Sequence, residues 1–469
     1  MLSFLKYVAV SSLAVVGHAK LQNEYPEPPA ILTPVTEWYD SYGASRVGKI
    51  AAPFTGTDGN PDSVNAFRLD LVGTTSERGE AFGALMHKEI VKFATYELDK
   101  YYMSAVLDLD FDQYPEPLQK ILHVIQIKGA IAAPAAINAA LEWVYEAEEK
   151  YMPAYIVEEM EAIGKGMCVG FAKAGEHCDV DEMTTMVKRV NMLPELIRMA
   201  CTAYGAWGNA TPDGKLTQIR ALDFGSGPFG NYTILAVYRS DPQAAEQERA
   251  FATVMFPGMV GVITGVSDKG VGISEKVWMT YDTPSLQPGS YDGEPDVFVL
   301  RDLLQKAGTK EEAEAHMQEV KRTFAIWVGV GDFVSQKMDI VGYLEESATP
   351  YDDVTMPSNT GQPYIESVVY VDKHPQPSHD GATGTLPVGL QDFWGNLTAP
   401  NSRMILQSHA TGDQHIAMYD FGNEQMLVSI GRINEDGNYG PVDGDLSSWK
   451  AYNRPYLLFN MQDLWTGAI

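Results

Sequence analysis

A thiol attacks a carbonyl only when something removes its proton, and this 469-residue chain has three cysteines that could do so. Cys168 and Cys178 lie close together in GMCVGFAKAGEHCDV, so they can close a short disulfide loop in an oxidising compartment. Cys201, in RMACTAYGAWG, is then left over, and an odd thiol in a secreted chain is worth reading as intermolecular or reactive. The alternative is a buried, inert cysteine. Two bases could activate it. One is a histidine elsewhere in the fold, for which His374 and His409 are available. The other is its own α-amine, freed if the bond after Ala200 is cut, with a reference pKa of about 8.

The second arrangement demands a particular layout, with the nucleophile on the first strand of a domain behind a removable segment. The sequence periodicity switches at this point. Arg220 and Asp223, in IRALDFG on the next predicted strand, are the nearest groups to set the thiol's charge and anchor an amine. Three residues apart, they face opposite sides of a regular strand, so a bend or strand end near Leu222 is needed to bring both to the sulfur.

Around these residues the chain divides into three. MLSFLKYVAVSSLAVVGHAK has a lysine, an apolar run and small residues ahead of a cleavage point, which predicts a secretory signal over 1–19. Residues 20–200 read as a mostly helical leading segment after an irregular start (EYPEPPAILTP), with helical spacing in GEAFGALMHKEIVKFATYELDKYY, PLQKILHVIQI, INAALEWVYEAEEKY and YIVEEMEAIGKGM. GAIAAPAAINAALEWV is apolar enough to be buried or to lie at a membrane interface. Pro134, Asn138 and Glu142 argue against its spanning one, and a core helix is expected. From 201 to 469 short strands dominate: LTQIRALDF, NYTILAVYR, AFATVMF, VGVITGV, GVGISEKVW, IVGYL, ESVVYVD, then HIAMYDF and EQMLVSIGR as a hairpin around Phe421, Gly422 and Asn423. FVLRDLLQKAG and KEEAEAHMQEVKRTFA supply helices between them. Strands in runs with helices grouped outside predict an α+β fold.

The net charge of −28 repels nucleic acid and anionic membrane surfaces at neutral pH. It is easier to tolerate at about pH 4 to 5, where carboxylates begin to protonate. Asn209, Asn231 and Asn396 are N-x-S/T glycosylation acceptors, in keeping with secretion. GSGPFG has the glycine spacing of a dinucleotide loop, but it runs between two strands and contains Pro228, so it reads as a turn. EHCDVDE lacks the second ligand pair that a zinc site needs. The chain has no HExxH, P-loop or GxSxG motif, and no metal or cofactor is expected.

CTAYGAWGNATPDGKLTQIRALDFG resembles the nucleophile segment of the acid ceramidase and N-acylethanolamine acid amidase family. That family lies within the N-terminal-nucleophile (Ntn) hydrolases, alongside the penicillin acyltransferases and bile-acid amidases. The resembling features are Cys-Thr and, one hairpin later, Arg-x-x-Asp-Phe. FPGMVGVITGVSDKGVGIS is similar to the family's Gly-x-x-Gly-x-x-Thr-Gly strand pair, and RGEAFGALM to its Arg-Gly-x-x-x-Gly helix. VVYVDKHPQP followed by NSRM is a weaker match.

The resemblance implies an αββα four-layer sandwich behind the leading segment. It also implies autocleavage before Cys201 into two chains that stay associated. Cys201 would be the nucleophile, Asp223 would hold the new α-amine, and Arg220 would orient it and stabilise charge at the sulfur. The family has an oxyanion-hole asparagine where this sequence, through VVYVD, has Asp372. Either Asp372 is protonated at acidic pH, or the donor comes from elsewhere, such as Asn359 in PSNTG or a backbone N–H. Arg403 in NSRM matches a later arginine. The expected activity is that of a secreted or lysosomal amidase acting on small, lipid-like N-acyl substrates, with transient membrane-surface contact. The alternatives are an acyltransferase or a phospholipase-B-like hydrolase of the same fold, a papain-type hydrolase using His374 or His409 with residues 200 and 201 still joined, and a catalytically silent binding protein.

Overall fold

The computed structural model describes residues 25–55, 61–98, 114–128, 132–196, 200–224, 228–240, 248–277, 290–323, 325–373, 385–432 and 449–468. The signal over 1–19 and His374 lie outside them. The strands are β1 (Ile31–Leu32), β2 (Val35–Tyr42), β3 (Ser45–Thr55), β4 (Pro61–Gly73), β5 (Ala200–Gly208), β6 (Gly214–Asp223), β7 (Ile234–Ser240), β8 (Phe251–Met255), β9 (Thr264–Ser267), β10 (Val271–Val277), β11 (Ile326–Asp332), β12 (Met338–Tyr343), β13 (Ala348–Tyr351), β14 (Val368–Val371), β15 (His415–Asp420), β16 (Gln425–Ile430) and β17 (Tyr456–Asn460).

They form two sheets, one ordered β1-β17-β16-β15-β6-β5-β14 and the other β13-β12-β11-β10-β9-β8-β7-β4-β3-β2. Ala203, Trp207, Leu216, Leu235, Val237, Trp327 and Met338 pack between the sheets. Tyr204, Ile219 and Ile416 pack outward against helices Thr385–Asp392 and Ala399–His409. Val271, Ile273 and Ile326 pack outward against Asp296–Lys306 and the helices of the leading segment. The α+β, four-layer helix–sheet–sheet–helix sandwich is therefore present.

The leading segment is not helical throughout. Its residues 31–32, 35–42, 45–55 and 61–73 are strand, a correction to the sequence reading. β2 to β4 extend the ten-stranded sheet, β4 pairs in parallel with β7, and β1 pairs in parallel with β17. The pattern was hidden because β2 is an edge strand exposed on both faces, which blunts the alternation, and prolines punctuate the stretch. The boundary at 200 is thus one in sequence only, since both parts share both sheets. Helix Ala133–Glu148 buries Ile137, Leu141 and Val144, as a core helix does.

The glycines of RGEAFGALM have a packing reason. A Cβ on Gly79 would stand 2.7 Å from the Glu159 carbonyl oxygen, and one on Gly83 2.0 Å from that of Ile163. Helices Thr75–Val91 and Ala154–Lys173 meet backbone to backbone there. The Cys168–Cys178 disulfide is formed and ties the end of Ala154–Lys173 to the start of Val180–Asn191. Asn209, Asn231 and Asn396 are exposed. GSGPFG falls between β6 and β7, with residues 225–227 outside the described set and Pro228–Asn231 a short 3-10 turn. No described helix is long and apolar enough to cross a membrane.

Candidate functional site

Cys201 is the second residue of β5 and a free, fully buried thiol. β5 pairs with β6 so that Cys201 stands opposite Leu222, Ala203 opposite Arg220 and Ala200 opposite Asp223. Arg220 is thus two residues along the neighbouring strand on the same face as the sulfur, and Nη2 donates to Sγ at 3.1 Å.

The rest of that guanidinium is fixed. Nε donates to the Glu275 carbonyl at 3.1 Å, Nη2 also donates to Glu275 Oε2 at 3.1 Å, and Nη1 donates to His415 Nε2 at 3.1 Å. An arginine only donates, so Nε2 of His415 is an acceptor and its ring is neutral. Burial, then the adjacent Arg220, holds its pKa well below the usual range. Thr264 Oγ1 approaches the same nitrogen at 3.1 Å. Burial pushes the Cys201 thiol up to about 12, against which Arg220 is the strongest opposing influence and Lys276 adds to it. Burial likewise pushes Glu275 up to about 7, against the pull of Arg220.

Asp223 closes β6 and, by alternation, faces away from Arg220. Its Oδ1 accepts from Gly412 N at 2.8 Å and its Oδ2 from Thr411 Oγ1 at 2.5 Å, while Thr411 Oγ1 also lies 2.8 Å from Thr202 Oγ1. Arg220 reaches the sulfur from one side, and Asp223 stands across from the residue that precedes it.

The other residues singled out from the sequence divide. Asp372 follows β14, whose Val371 pairs with Ala203, and Lys373 N donates to Thr202 Oγ1, so Asp372 lies at the Cys201 end of β5. Its Oδ1 accepts from His409 Nε2 at 2.7 Å, and Thr385 caps the other ring nitrogen of His409. His409 is therefore committed to Asp372 and not to the thiol. Asn359 is not brought to the site. It is exposed on the short helix Thr355–Thr360, donates to the Thr355 carbonyl at 2.8 Å, and belongs to the segment entering β14 opposite the Gly208 end of β5. Arg403 is also elsewhere, on the outer helix Ala399–His409, where Nε donates to Pro400 O at 2.8 Å.

Sequence reasoning missed Glu275, Lys276 and His415. Two adjacent charges in the apolar run GVGISEKVW, whose residues 271–277 are buried in β10, were the available signal for the first two. His415 had none, being one histidine at the head of an apolar strand. EHCDVDE carries the disulfide, and no group of three or more metal-ligating side chains is assembled among the described residues.

Residues 195 and 196, ahead of Cys201, are pinned by buried side chains. Glu195 Oε1 accepts from Asp296 N at 3.1 Å and Oε2 from Thr323 Oγ1 at 3.2 Å. Tyr291 and Tyr114 donate to the carbonyls of Glu195 and Leu196. Burial, then the neighbouring Glu148, pushes Glu195 up to about 8.

Compared with known proteins, the chain is 30% identical to protein dcd1B of Dictyostelium discoideum over 427 residues, 88% of this chain and 76% of that one. The chain belongs to the dcd1 family. Protein dcd1A of the same organism is 29% identical over 415 residues, 86% of each chain. No family model matches this dcd1-family chain. Among solved structures, an N-acylethanolamine-hydrolyzing acid amidase ortholog of Caenorhabditis elegans aligns over 47% of it and 93% of that chain, at 14% identity and a TM-score of 0.37.

Proposed function

We propose that this dcd1-family protein is a cysteine amidohydrolase of the Ntn type, activated by cleavage between Ala200 and Cys201. One observation carries the reading. The only free cysteine stands second in a strand, its sulfur is held by a fixed arginine, and a carboxylate closes the partner strand opposite the residue to be removed. In cleavage, Sγ attacks the Ala200 carbonyl, the C–N bond breaks and the nitrogen takes the thiol's proton. Water then hydrolyses the thioester, leaving a carboxylate on Ala200 and a free α-amine on Cys201.

The amine is the base for the second reaction. It takes the thiol proton, the thiolate adds to the carbonyl of an N-acyl substrate, and the leaving amine departs with that proton. Water releases the acid from the acyl-enzyme. Asp223 holds the ammonium form of the base, and Arg220 favours the thiolate.

The apolar side chains Phe224, Phe229, Phe256, Met259 and Ile263, beginning at the residue after Asp223, surround a space about the size of one water molecule, so a lipid-like acyl group requires this wall to open. Leu193 and Pro194 of the leading segment form the rest of its wall. In the joined chain Cys201 is fully buried, so freeing the segment ahead of it opens the way to the sulfur. The shared sheets keep the two chains together after cleavage. A secreted or lysosomal address is supported by the disulfide and the three exposed asparagines.

The test is a panel of N-acylsphingosines, N-acylethanolamines, N-acyl amino acids and lysophospholipids, assayed at about pH 4.5 and pH 7 with wild type and C201A. Release of fatty acid from an amide by wild type alone supports the reading. Turnover by C201A, or of lysophospholipids only, rejects it.

A further inference from the structure

Arg220 is not the sole cation at the sulfur. Lys276 follows Glu275 on β10, and crosslinks from β6 fix where it lies. Gln218 reaches the Gly272 carbonyl and Ser274 Oγ, both at 3.0 Å, and Arg220 reaches Glu275. β10 thus advances alongside β6, bringing residue 276 level with Leu222, whose partner on β5 is Cys201. Ser274 and Glu275, the two residues before Lys276, both reach side chains of β6, and the Arg220 that holds Glu275 also holds the Cys201 sulfur, so Lys276 follows directly on the residue that shares a partner with the thiol.

The side chain is fully buried, and among the described residues its ammonium makes one hydrogen bond, to the Val277 carbonyl at 3.1 Å. Among the described residues, two of its three N–H groups are uncommitted. A buried ammonium so poorly satisfied costs stability, as its lowered pKa reflects: burial drives it down. Of the groups that oppose that fall, the Cys201 thiol acts most strongly, followed by Glu275, Asp372 and Asp223. Glu275 is engaged by Arg220, Asp372 by His409, and Asp223 by Thr411 and Gly412.

We propose that Lys276 is a further catalytic residue whose ammonium stabilises negative charge on the Cys201 sulfur and then on the oxygen of the attacked carbonyl. As the S–C bond forms, the carbonyl π pair moves to oxygen, while the sulfur's proton has gone to the α-amine. Lys276 thereby takes the part for which Asp372, bound to His409, is unsuited. The proposal rests on Cys201 being the nucleophile.

The test needs no substrate. Cys201 is the only free cysteine, so its reaction with methyl methanethiosulfonate can be followed by intact mass of the cleaved large chain from pH 5 to 10 in wild type, K276M, K276Q and K276R, with thermal melting to establish folding. The groups that act on this thiol are Arg220, Glu275, Lys276 and Asp223, and only Lys276 is altered. Removing a cation raises a thiol pKa. The neutral variants should therefore shift the reactivity midpoint up by about one pH unit or more, and K276R should restore it. A folded K276M or K276Q with the wild-type midpoint overturns the proposal. So does a wild-type thiol that stays unreactive throughout, or failure of both neutral variants to fold, which would make Lys276 a packing residue. A shifted midpoint without any amide turnover would sink the amidase reading alone. Turnover with an unmoved midpoint would sink Lys276 alone.

Discussion

Arg220 Nη2 lies 3.1 Å from the Cys201 sulfur, and both side chains are fully buried. The same guanidinium spans Glu275 and His415, a fork that a point-charged ammonium cannot reproduce. Arg220→Lys should therefore lower the rate of self-cleavage and of amide hydrolysis by about 100-fold or more. Keeping a positive charge beside Glu275 spares the fold much of the cost of a lone buried carboxylate, about 3 to 5 kcal/mol. Time courses of cleavage on gels, with melting curves alongside, check both halves.

Asp223→Asn separates charge from shape. An asparagine can still accept from Gly412 N through its oxygen and meet Thr411 through its amide, so the melting temperature should stay near wild type. The base's counter-charge is gone, and hydrolysis should fall on the order of 100-fold, with the loss in kcat. A wild-type rate would remove Asp223 from the mechanism.

The acids behind the cleavage point predict a pH dependence. Glu195 is raised from its ordinary range to about 8, so the folded protein holds its proton more tightly than the unfolded chain. Its contribution is fully present below about pH 4.5 and is lost as the pH rises through about 8. Burial also raises Glu148 and Asp296, which adds to the same slope. Melting temperature should decline from pH 4.5 to 8, and Glu195→Gln should flatten that decline. An equally steep decline in the variant would place its origin elsewhere.

The disulfide closes a loop that joins two leading-segment helices and touches none of the site residues. Reduction, or Cys168→Ser with Cys178→Ser, should cost about 2 to 3 kcal/mol of stability and leave cleavage at Cys201 intact. Denaturant melts with and without reductant measure it.

Much of the catalytic half was legible because its signals are local. Cys201 begins a strand where the periodicity changes, and the hairpin at Phe421 to Asn423 joins β15 and β16 in register. Arg220 reaches the sulfur along β6, while Asp223, at the end of that strand, stands opposite Ala200 and faces the other way, as alternation over three residues requires. What failed was non-local. The strands over 31–73 were obscured by an edge strand, β2, with no fully buried position, and the pairings of β4 with β7 and β1 with β17 join segments far apart in the chain. Asn359 and Arg403 were assigned by motif alone, and the fold sends one to the far end of β14 and the other to the outer helix layer. Glu275, Lys276 and His415 enter the site only when β10 and β15 are laid beside β6.

The central claim is that the sulfur of Cys201 acquires its own α-amine as base. N-terminal sequencing and intact mass of active, purified protein test it most directly. The account predicts a large chain beginning Cys-Thr-Ala-Tyr, absent from Cys201→Ala. Fully active protein with the Ala200 to Cys201 bond intact would contradict it.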